Sequence, residues 1–358
     1  MAAITTFEAT QENVKIIGRT HYFNNTLWLS LSGGGIEFSF TGTKAEITMS
    51  GDNIAIIPNN DTNYARIGIY VNGERVVDDM MNKIEKTYTV FESDTEQDVV
   101  IRIVKLSEAP MSIIGIQQIY VDSKDGIMPT AAKERKIEFI GDSITCGYGV
   151  DDEVKENHFS TETEDVTKAY AYKTAQTLEA DYSMVSYSGY GIVSGYTADG
   201  IKEPNQIVST YYDKVGFSYG NVGGGLSISS VKWDYSKYEP DLIVINLGTN
   251  DDSYCQSDLE RQAEYTGQYT EFLKKIRGFN PNAKILCTLG IMGDRLYPCI
   301  EKAVTDYIKA TADTNISSMK FDDQLSNDGY VADGHPTKAT HNKASDKLTA
   351  EIKKIMNW

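Results

Sequence analysis

Cysteine and histidine are scarce in this chain of 358 residues, which contains four of each. The cysteines lie too far apart in sequence to form the close pairs of a zinc ribbon or the framework of a disulfide-rich protein. No pair of histidines, acidic loop or Gly-Lys-Ser/Thr phosphate loop points to a bound metal or nucleotide. The sequence therefore predicts a protein without a metal or cofactor. The four cysteines are Cys146, Cys255, Cys287 and Cys299.

Basic residues are also under-represented, with 34 Lys and Arg against 51 Asp and Glu and a formal net charge of −17. Nucleic acids and anionic membrane surfaces repel so acidic a protein, which argues against both as partners. Polyanionic substrates such as pectate are disfavoured for the same reason, whereas neutral sugars are compatible with this charge.

Long apolar runs are absent as well, and none approaches the length of a membrane-spanning helix. Residues 1–8 have neither the basic segment nor the apolar core that a secretion signal needs. We therefore expect a cytoplasmic protein, or the mature form of a secreted one.

The first third of the chain has the two-residue period of β-strands. Short segments such as 35–40 and 45–49 alternate apolar and polar positions, and Asn72-Gly73 is typical of a hairpin turn. Such alternation predicts an all-β sandwich of the jelly-roll type. The polar, breaker-rich stretch 122–129 ends this pattern, which places a first domain at residues 1–125 and a second at 126–358.

The second domain alternates between strand-like and helical segments. Strands are expected at about 136–141, 181–187, 241–247 and 283–289, and helices at 166–180 and 256–279. This order predicts a three-layer α/β domain whose parallel sheet is covered by helices on both faces. In such sheets the functional residues collect in loops beyond the carboxyl ends of the strands.

The loop after the first of these strands reads Gly141-Asp142-Ser143-Ile144-Thr145. A tight turn from a buried strand into a helix lifts the serine hydroxyl out of the sheet. The unpaired N–H groups of the first helical turn then point at whatever that oxygen attacks. A serine is a weak nucleophile without an adjacent base and a site for the developing oxyanion, so the rest of the chain must supply both.

Two further segments offer these groups. Asn250, in Gly-Thr-Asn-Asp, follows another buried strand and carries a neutral amide donor of the kind that stabilises an acyl-transfer oxyanion. His335 precedes Pro336, which we take as the first position of an amphipathic helix through Ile355. His335 should therefore lie in a loop at the mouth of that helix.

The order Gly-Asp-Ser, Gly-Thr-Asn-Asp and Asp-x-His-Pro resembles that of the SGNH or GDSL hydrolases, which are named for their Ser, Gly, Asn and His blocks. Residues 141–149, 159–165 and 233–240 resemble carbohydrate esterase family 2 more closely. The resemblance implies a small β-sandwich followed by an α/β hydrolase domain. It also implies that acetyl groups are removed from plant polysaccharides of the xylan or glucomannan type.

The same resemblance implies roles for individual residues. Ser143 matches the nucleophile and His335 the general base, while the backbone N–H of Ser143 and the side chain of Asn250 match two oxyanion donors. The third donor should fall in residues 186–191, where a glycine lets the backbone approach the reacting carbonyl because it has no Cβ. Gly191 is the preferred choice, and Gly189 is the alternative.

One position departs from the family pattern. The superfamily usually has its acid three residues before the histidine, where this chain has Ala332, and Asp333 stands only two residues before. Either Asp333 still reaches the imidazole and completes a triad, or a backbone carbonyl orients the ring and the site is a Ser-His dyad.

The leading interpretation is a serine esterase whose partner is an acetylated hemicellulose or oligosaccharide. Sugars stack on aromatic rings, and the candidates for this contact are Tyr148, Tyr190, Tyr196 and Trp233, with core packing as the alternative for Trp233. A lipid or aryl esterase or a thioesterase on the same scaffold stays open. So does a carbohydrate-binding protein in which the sandwich does the binding.

Overall fold

The structure is a computed structural model and describes residues 3–358. The strands, in chain order, are β1 (Thr5–Phe7), β2 (Lys15–Ile17), β3 (Thr20–Phe23), β4 (Thr26–Leu29), β5 (Gly35–Gly51), β6 (Ala65–Val71), β7 (Glu74–Met81), β8 (Glu85–Lys105), β9 (Ile114–Val121), β10 (Met128–Pro129), β11 (Arg135–Gly141), β12 (Ala180–Ser186), β13 (Asn221–Val222), β14 (Leu226–Ser227), β15 (Leu242–Asn246), β16 (Lys284–Leu289) and β17 (Ile316–Lys320). The helices are α1 (Ser143–Cys146), α2 (Tyr170–Thr177), α3 (Thr249–Cys255), α4 (Leu259–Phe279), α5 (Tyr297–Thr311) and α6 (Lys338–Met356).

The chain divides into two compact units. The first comprises the chain up to Ala132 together with Ser160–Glu164 and Lys214–Trp233, and the second comprises Lys133–Phe159, Asp165–Asp213 and Asp234–Trp358. The division lies slightly beyond the boundary predicted at residue 125, because β10 still pairs with β5. The predicted boundaries did not include these two later segments in the first unit.

The first unit is an all-β domain, as its alternating pattern predicts. Strands β1 to β10 form one antiparallel sheet, in which the long strand β5 pairs with four others, β2, β8, β9 and β10, and β8 also pairs with β6. Buried side chains alternate along these strands with exposed ones and form one apolar cluster. That cluster includes Phe38, Ile47, Ile67, Ile101 and Ile116.

The second unit contains a five-stranded parallel sheet in the order β12-β11-β15-β16-β17, which confirms the predicted α/β class. In this register Gly141 at the end of β11 lies opposite Ser186 of β12 on one side and Asn246 of β15 on the other. Three neighbouring strands therefore end at one edge, and the loops that follow them meet there. Only β17 lacks a sequence prediction, since this short edge strand has few apolar residues.

The C-terminal helix α6 begins later than its proline suggests. Thr337 caps the helix by accepting a hydrogen bond from the N–H of Thr340, whereas Pro336 forms an isolated β-bridge with Tyr330. His335 nonetheless lies in the loop that leads into this helix, as predicted. No helix within residues 3–358 has the length and apolar character needed to cross a membrane.

Candidate active site

Ser143 is the first residue of α1, a single helical turn that starts where β11 ends. The Asp142 carboxylate caps this turn by accepting from the N–H of Ile144, with a distance of 3.0 Å. The turn is tight enough that a Cβ on Gly141 would lie 2.0 Å from Oγ1 of Thr145, so only glycine fits there. Burial raises the pKa of the Asp142 carboxyl to about 7.

Ser143 and His335 are brought together across 192 residues of sequence. Nε2 of His335 lies 2.8 Å from Oγ of Ser143, and Nδ1 lies 3.1 Å from the backbone oxygen of Ala332. A carbonyl can only accept, so Nδ1 carries the proton and Nε2 is free to accept one from the serine hydroxyl. This is the tautomer that a general base needs.

The structure does not bring the carboxylate of Asp333 into hydrogen-bond contact with the imidazole, so of the two alternatives it favours the Ser-His dyad. Its carboxylate accepts from the hydroxyl of Tyr148 at 2.5 Å and lies 2.8 Å from Nδ1 of His158. Its N–H donates to the carbonyl of Asn157, and its φ of +51° is left-handed. Both carboxylate oxygens are thus directed toward the segment after α1, and the backbone carbonyl alternative is the one that the geometry supports for His335.

The protonation of His335 is governed by its surroundings. Desolvation of the ring lowers its pKa to about 4, against the opposing effects of the hydrogen bond to Ala332 and the negative charge of Asp333. Since an ordinary histidine has a pKa of about 6.5, the lowered value keeps the imidazole neutral in mildly acidic as well as neutral solution. A neutral imidazole is the form that can take the serine proton.

Of the two candidate glycines, Gly189 and not the preferred Gly191 has an available N–H. The N–H of Gly191 donates to the carbonyl of Gln206 at 3.0 Å, in a β-bridge between Gly191 and Ile207. Within residues 3–358, the N–H groups of Gly189 and Ser143 have no hydrogen-bond acceptor. These two backbone donors are therefore free to bind an oxyanion.

Asn250 lies in the first turn of α3, after β15, with only 6% of its surface exposed. Its Nδ2 donates to the carbonyl of Tyr190 at 2.8 Å, which links the loops after β12 and β15. An amide nitrogen carries two N–H groups, so one remains for a ligand. The loops on both sides of Ser143 thus carry donors at the same edge of the sheet.

Asp251 is a residue of this site that the sequence prediction missed. Its buried carboxylate accepts from the N–H groups of Ile192, Val193 and Ser194 at 2.7 to 3.1 Å. These bonds hold the loop after β12 against the start of α3, and burial raises the pKa of the carboxyl to about 6. The available signal was its position in Gly-Thr-Asn-Asp, directly after Asn250.

Three of the four candidate sugar-stacking residues, Tyr148, Tyr190 and Trp233, pack against other groups of the protein. The ring of Tyr148 stacks on the imidazole of His335, and Tyr190 is 3% exposed. Trp233 is 8% exposed, belongs to the first unit and has the guanidinium of Arg19 5.5 Å from its ring centroid. In contrast, Tyr196 is 61% exposed.

Tyr196 is also tied to the site through its backbone. Its N–H donates to the carbonyl of Gly189 at 2.8 Å, and the N–H of Thr197 donates to Oγ of Ser253 at 2.9 Å. An exposed aromatic ring therefore stands on a hydrogen-bonded loop that also carries one of the free N–H donors.

Two family models match this chain. The carbohydrate esterase 2 N-terminal model matches residues 16–130, and the model of the GDSL-like lipase/acylhydrolase family matches residues 139–343. The two matches together cover both predicted parts of the chain and agree with the order of the blocks around Ser143, Asn250 and His335.

Curated relatives and a solved structure are also similar to this chain over both of its parts. The chain is 32% identical over 334 residues to the cellulase/esterase CelE of Acetivibrio thermocellus, covering 91% of this chain and 37% of that longer protein. It is 24% identical over 361 residues to an acetylxylan esterase/glucomannan deacetylase of Cellvibrio japonicus, covering 100% of this chain and 93% of that protein. A family two carbohydrate esterase from Clostridium thermocellum in complex with cellohexaose superposes with a TM-score of 0.81 at 27% identity, covering 96% and 99% of the two chains.

Proposed function

We propose that this chain, which belongs to the GDSL-like lipase/acylhydrolase family and carries a carbohydrate esterase 2 N-terminal domain, is a serine esterase that removes O-acetyl groups from plant polysaccharides. One observation carries the proposal: Oγ of Ser143 lies 2.8 Å from Nε2 of a His335 ring whose tautomer is fixed by a carbonyl. The free N–H groups beside the serine complete the requirements for acyl transfer.

Acylation starts when His335 takes the hydroxyl proton on Nε2 and Oγ of Ser143 attacks the acetyl carbonyl carbon. The carbonyl oxygen becomes an oxyanion, which the N–H groups of Ser143 and Gly189 and the second N–H of Asn250 stabilise. The imidazolium then donates its proton to the sugar oxygen as the ester bond breaks. The sugar leaves with a free hydroxyl, and the acetyl group stays on Ser143.

Deacylation repeats these steps with water. His335 takes a proton from a water molecule, whose oxygen attacks the acetyl carbon, and the same donors stabilise the second oxyanion. Collapse of this intermediate returns the proton to Oγ of Ser143 and releases acetate. The net reaction is hydrolysis of one ester bond, and the enzyme is restored.

Three features support a neutral acetylated sugar as substrate. The relatives named above include an acetylxylan esterase/glucomannan deacetylase and an esterase structure with bound cellohexaose. The net charge of −17 disfavours polyanions. Tyr196 is bonded to the carbonyl of Gly189 through its backbone N–H, and its exposed ring offers a face on which a sugar can stack.

The test is acetate release from acetylated xylan and acetylated glucomannan, with aryl esters of increasing acyl length as controls. We expect release from at least one polysaccharide, a preference for the aryl acetate over longer esters, and no turnover by Ser143→Ala at an unchanged thermal midpoint. A preference for long acyl chains would favour a lipid esterase. Retention on insoluble polysaccharide without acetate release would favour a carbohydrate-binding protein.

A further inference from the structure

The Ser143–His335 pair leaves one electrostatic task without an obvious residue. When Nε2 takes the serine proton, the ring becomes a positively charged imidazolium in surroundings that disfavour charge, as the lowered pKa of His335 shows. In a triad the aspartate stabilises this charge. Here Nδ1 is hydrogen-bonded to the neutral carbonyl of Ala332, and the negative charge of Asp333 acts on the ring without a hydrogen bond to it.

An aromatic ring lies directly on this imidazole. The centroids of Tyr148 and His335 are 3.8 Å apart, and their planes differ by 15°. The face of an aromatic ring is electron-rich and attracts a cation placed within about 6 Å of its centre. The face-to-face contact with Tyr148 therefore stabilises the charged imidazolium form of His335 and has little effect on the free energy of the neutral imidazole.

The Tyr148 ring is held in this position by contacts with Asp333 and Phe159. Its hydroxyl donates to Asp333 at 2.5 Å, and that carboxylate is bound in turn to Nδ1 of His158 at 2.8 Å. Phe159 packs on the ring with centroids 5.0 Å apart and planes at 49°. A phenol that donates to a carboxylate gains electron density in its ring, which strengthens the attraction for a cation.

We propose that Tyr148 is the positioning residue that replaces the missing acid: its ring face stabilises the His335 imidazolium, and Asp333 holds and polarises that ring through the phenol hydroxyl. Asp333 thus makes no hydrogen bond to Nδ1 and, besides the direct effect of its charge, acts on His335 through Tyr148. The left-handed backbone at Asp333 fits this role, because aspartate is among the few residues that tolerate it and glycine has no carboxylate to offer. The proposal rests on the proposed Ser143–His335 chemistry.

The experiment replaces Tyr148 first by Phe and then by mono-, di- and trifluorophenylalanine, which change the charge of the ring face at almost constant shape. We measure kcat, KM and the pH profile of kcat/KM with a small aryl acetate. We expect kcat to fall steadily, by about tenfold across the series, with KM nearly constant. The acidic limb of kcat/KM should move to lower pH as the imidazolium loses its partner.

Phe159 provides a matched control in the same chain. It packs on Tyr148 and, among the described residues, has no ring contact with His335. The same fluorinated residues at position 159 should therefore leave kcat and the acidic limb almost unchanged.

A flat series at position 148, with kcat and the acidic limb constant from Phe to trifluorophenylalanine, would overturn the proposal and leave Tyr148 as a packing residue. Equal trends at positions 148 and 159 would also overturn it. Failure of the proposed function gives a different result: either the wild type does not hydrolyse the aryl acetate at all, or Ser143→Ala keeps that activity whatever residue stands at position 148.

Discussion

The side-chain amide of Asn250 donates to the backbone carbonyl of Tyr190, with Nδ2 2.8 Å from the oxygen. This bond fixes the plane of the amide and so determines where its second N–H points. It also ties the loop after β15 to the loop after β12, the two strands that flank β11 and its serine. Asn250 therefore combines a structural bond with a free donor.

Replacing Asn250 separates these two roles. Asn250→Ala should lower kcat toward an aryl acetate by roughly a hundred- to a thousand-fold, the usual effect of losing one oxyanion donor. Asn250→Asp should be at least as impaired, because a carboxylate of similar shape repels the oxyanion. Thermal melting accompanies the kinetics: a large fall in Tm with near-normal kcat in the folded fraction would show that the residue serves the loop alone.

Asp333 and His335 should differ strongly in their effect on turnover. His335→Ala should be essentially inactive because the proposed general base is lost. Asp333→Ala should keep measurable activity. Its loss of kcat should be far smaller than the loss of about ten thousand-fold that follows disruption of a triad aspartate. Equal inactivity of the two folded variants, compared by kcat and Tm, would restore Asp333 to the role of triad acid.

The pH profile should reflect the lowered pKa of His335. As the proposed general base, His335 works only while neutral, and its pKa of about 4 means that protonation becomes half complete only near that pH. We therefore expect kcat/KM to stay constant from neutral pH down to about 5 and to halve near 4, well below the 6.5 of an ordinary histidine. A stopped assay of acetate release, with stability checked at each pH, measures this limb.

If kcat/KM instead begins to fall at a pH well above 4, we expect a group other than His335 to be responsible. Burial raises the pKa of Asp142 to about 7 and that of Asp251 to about 6, and both carboxylates lie beside the site. Asp142→Asn and Asp251→Asn would identify such a limb, since it would disappear in one of them. Its persistence in both would assign it to His335 and contradict the low pKa.

Tyr196 should matter for polymers and not for small esters. Tyr196→Ala removes an exposed ring and leaves the backbone bond to Gly189 intact, so we expect a several-fold higher KM for acetylated polysaccharide. The kcat/KM for an aryl acetate should stay near the wild-type value. Tyr196→Phe is the matched control and should behave like the wild type, because stacking needs the ring face and not the hydroxyl. Equal losses on both substrates would indicate a damaged loop instead.

Local sequence determined most of the fold and the main candidates of the site. Alternation with period two in the first third and strand-helix alternation afterwards are properties of short segments, and both unit types are confirmed. Ser143, Asn250 and His335 each stand in a short block next to a strand or helix that the pattern itself reveals. Their chemical roles stay predictions until the variants above are measured.

Only the tertiary structure decided between residues of equal chemistry. Gly189 and Gly191 are both glycines in one loop, and Gly191 loses its free N–H to Gln206, a partner from a later segment. Asp333 turns toward Tyr148, 185 residues earlier, and His335 receives a carbonyl and a ring face in its place. Hydrogen bonds and ring contacts between distant segments depend on how the loops are packed, and no local pattern in the chain encodes that packing.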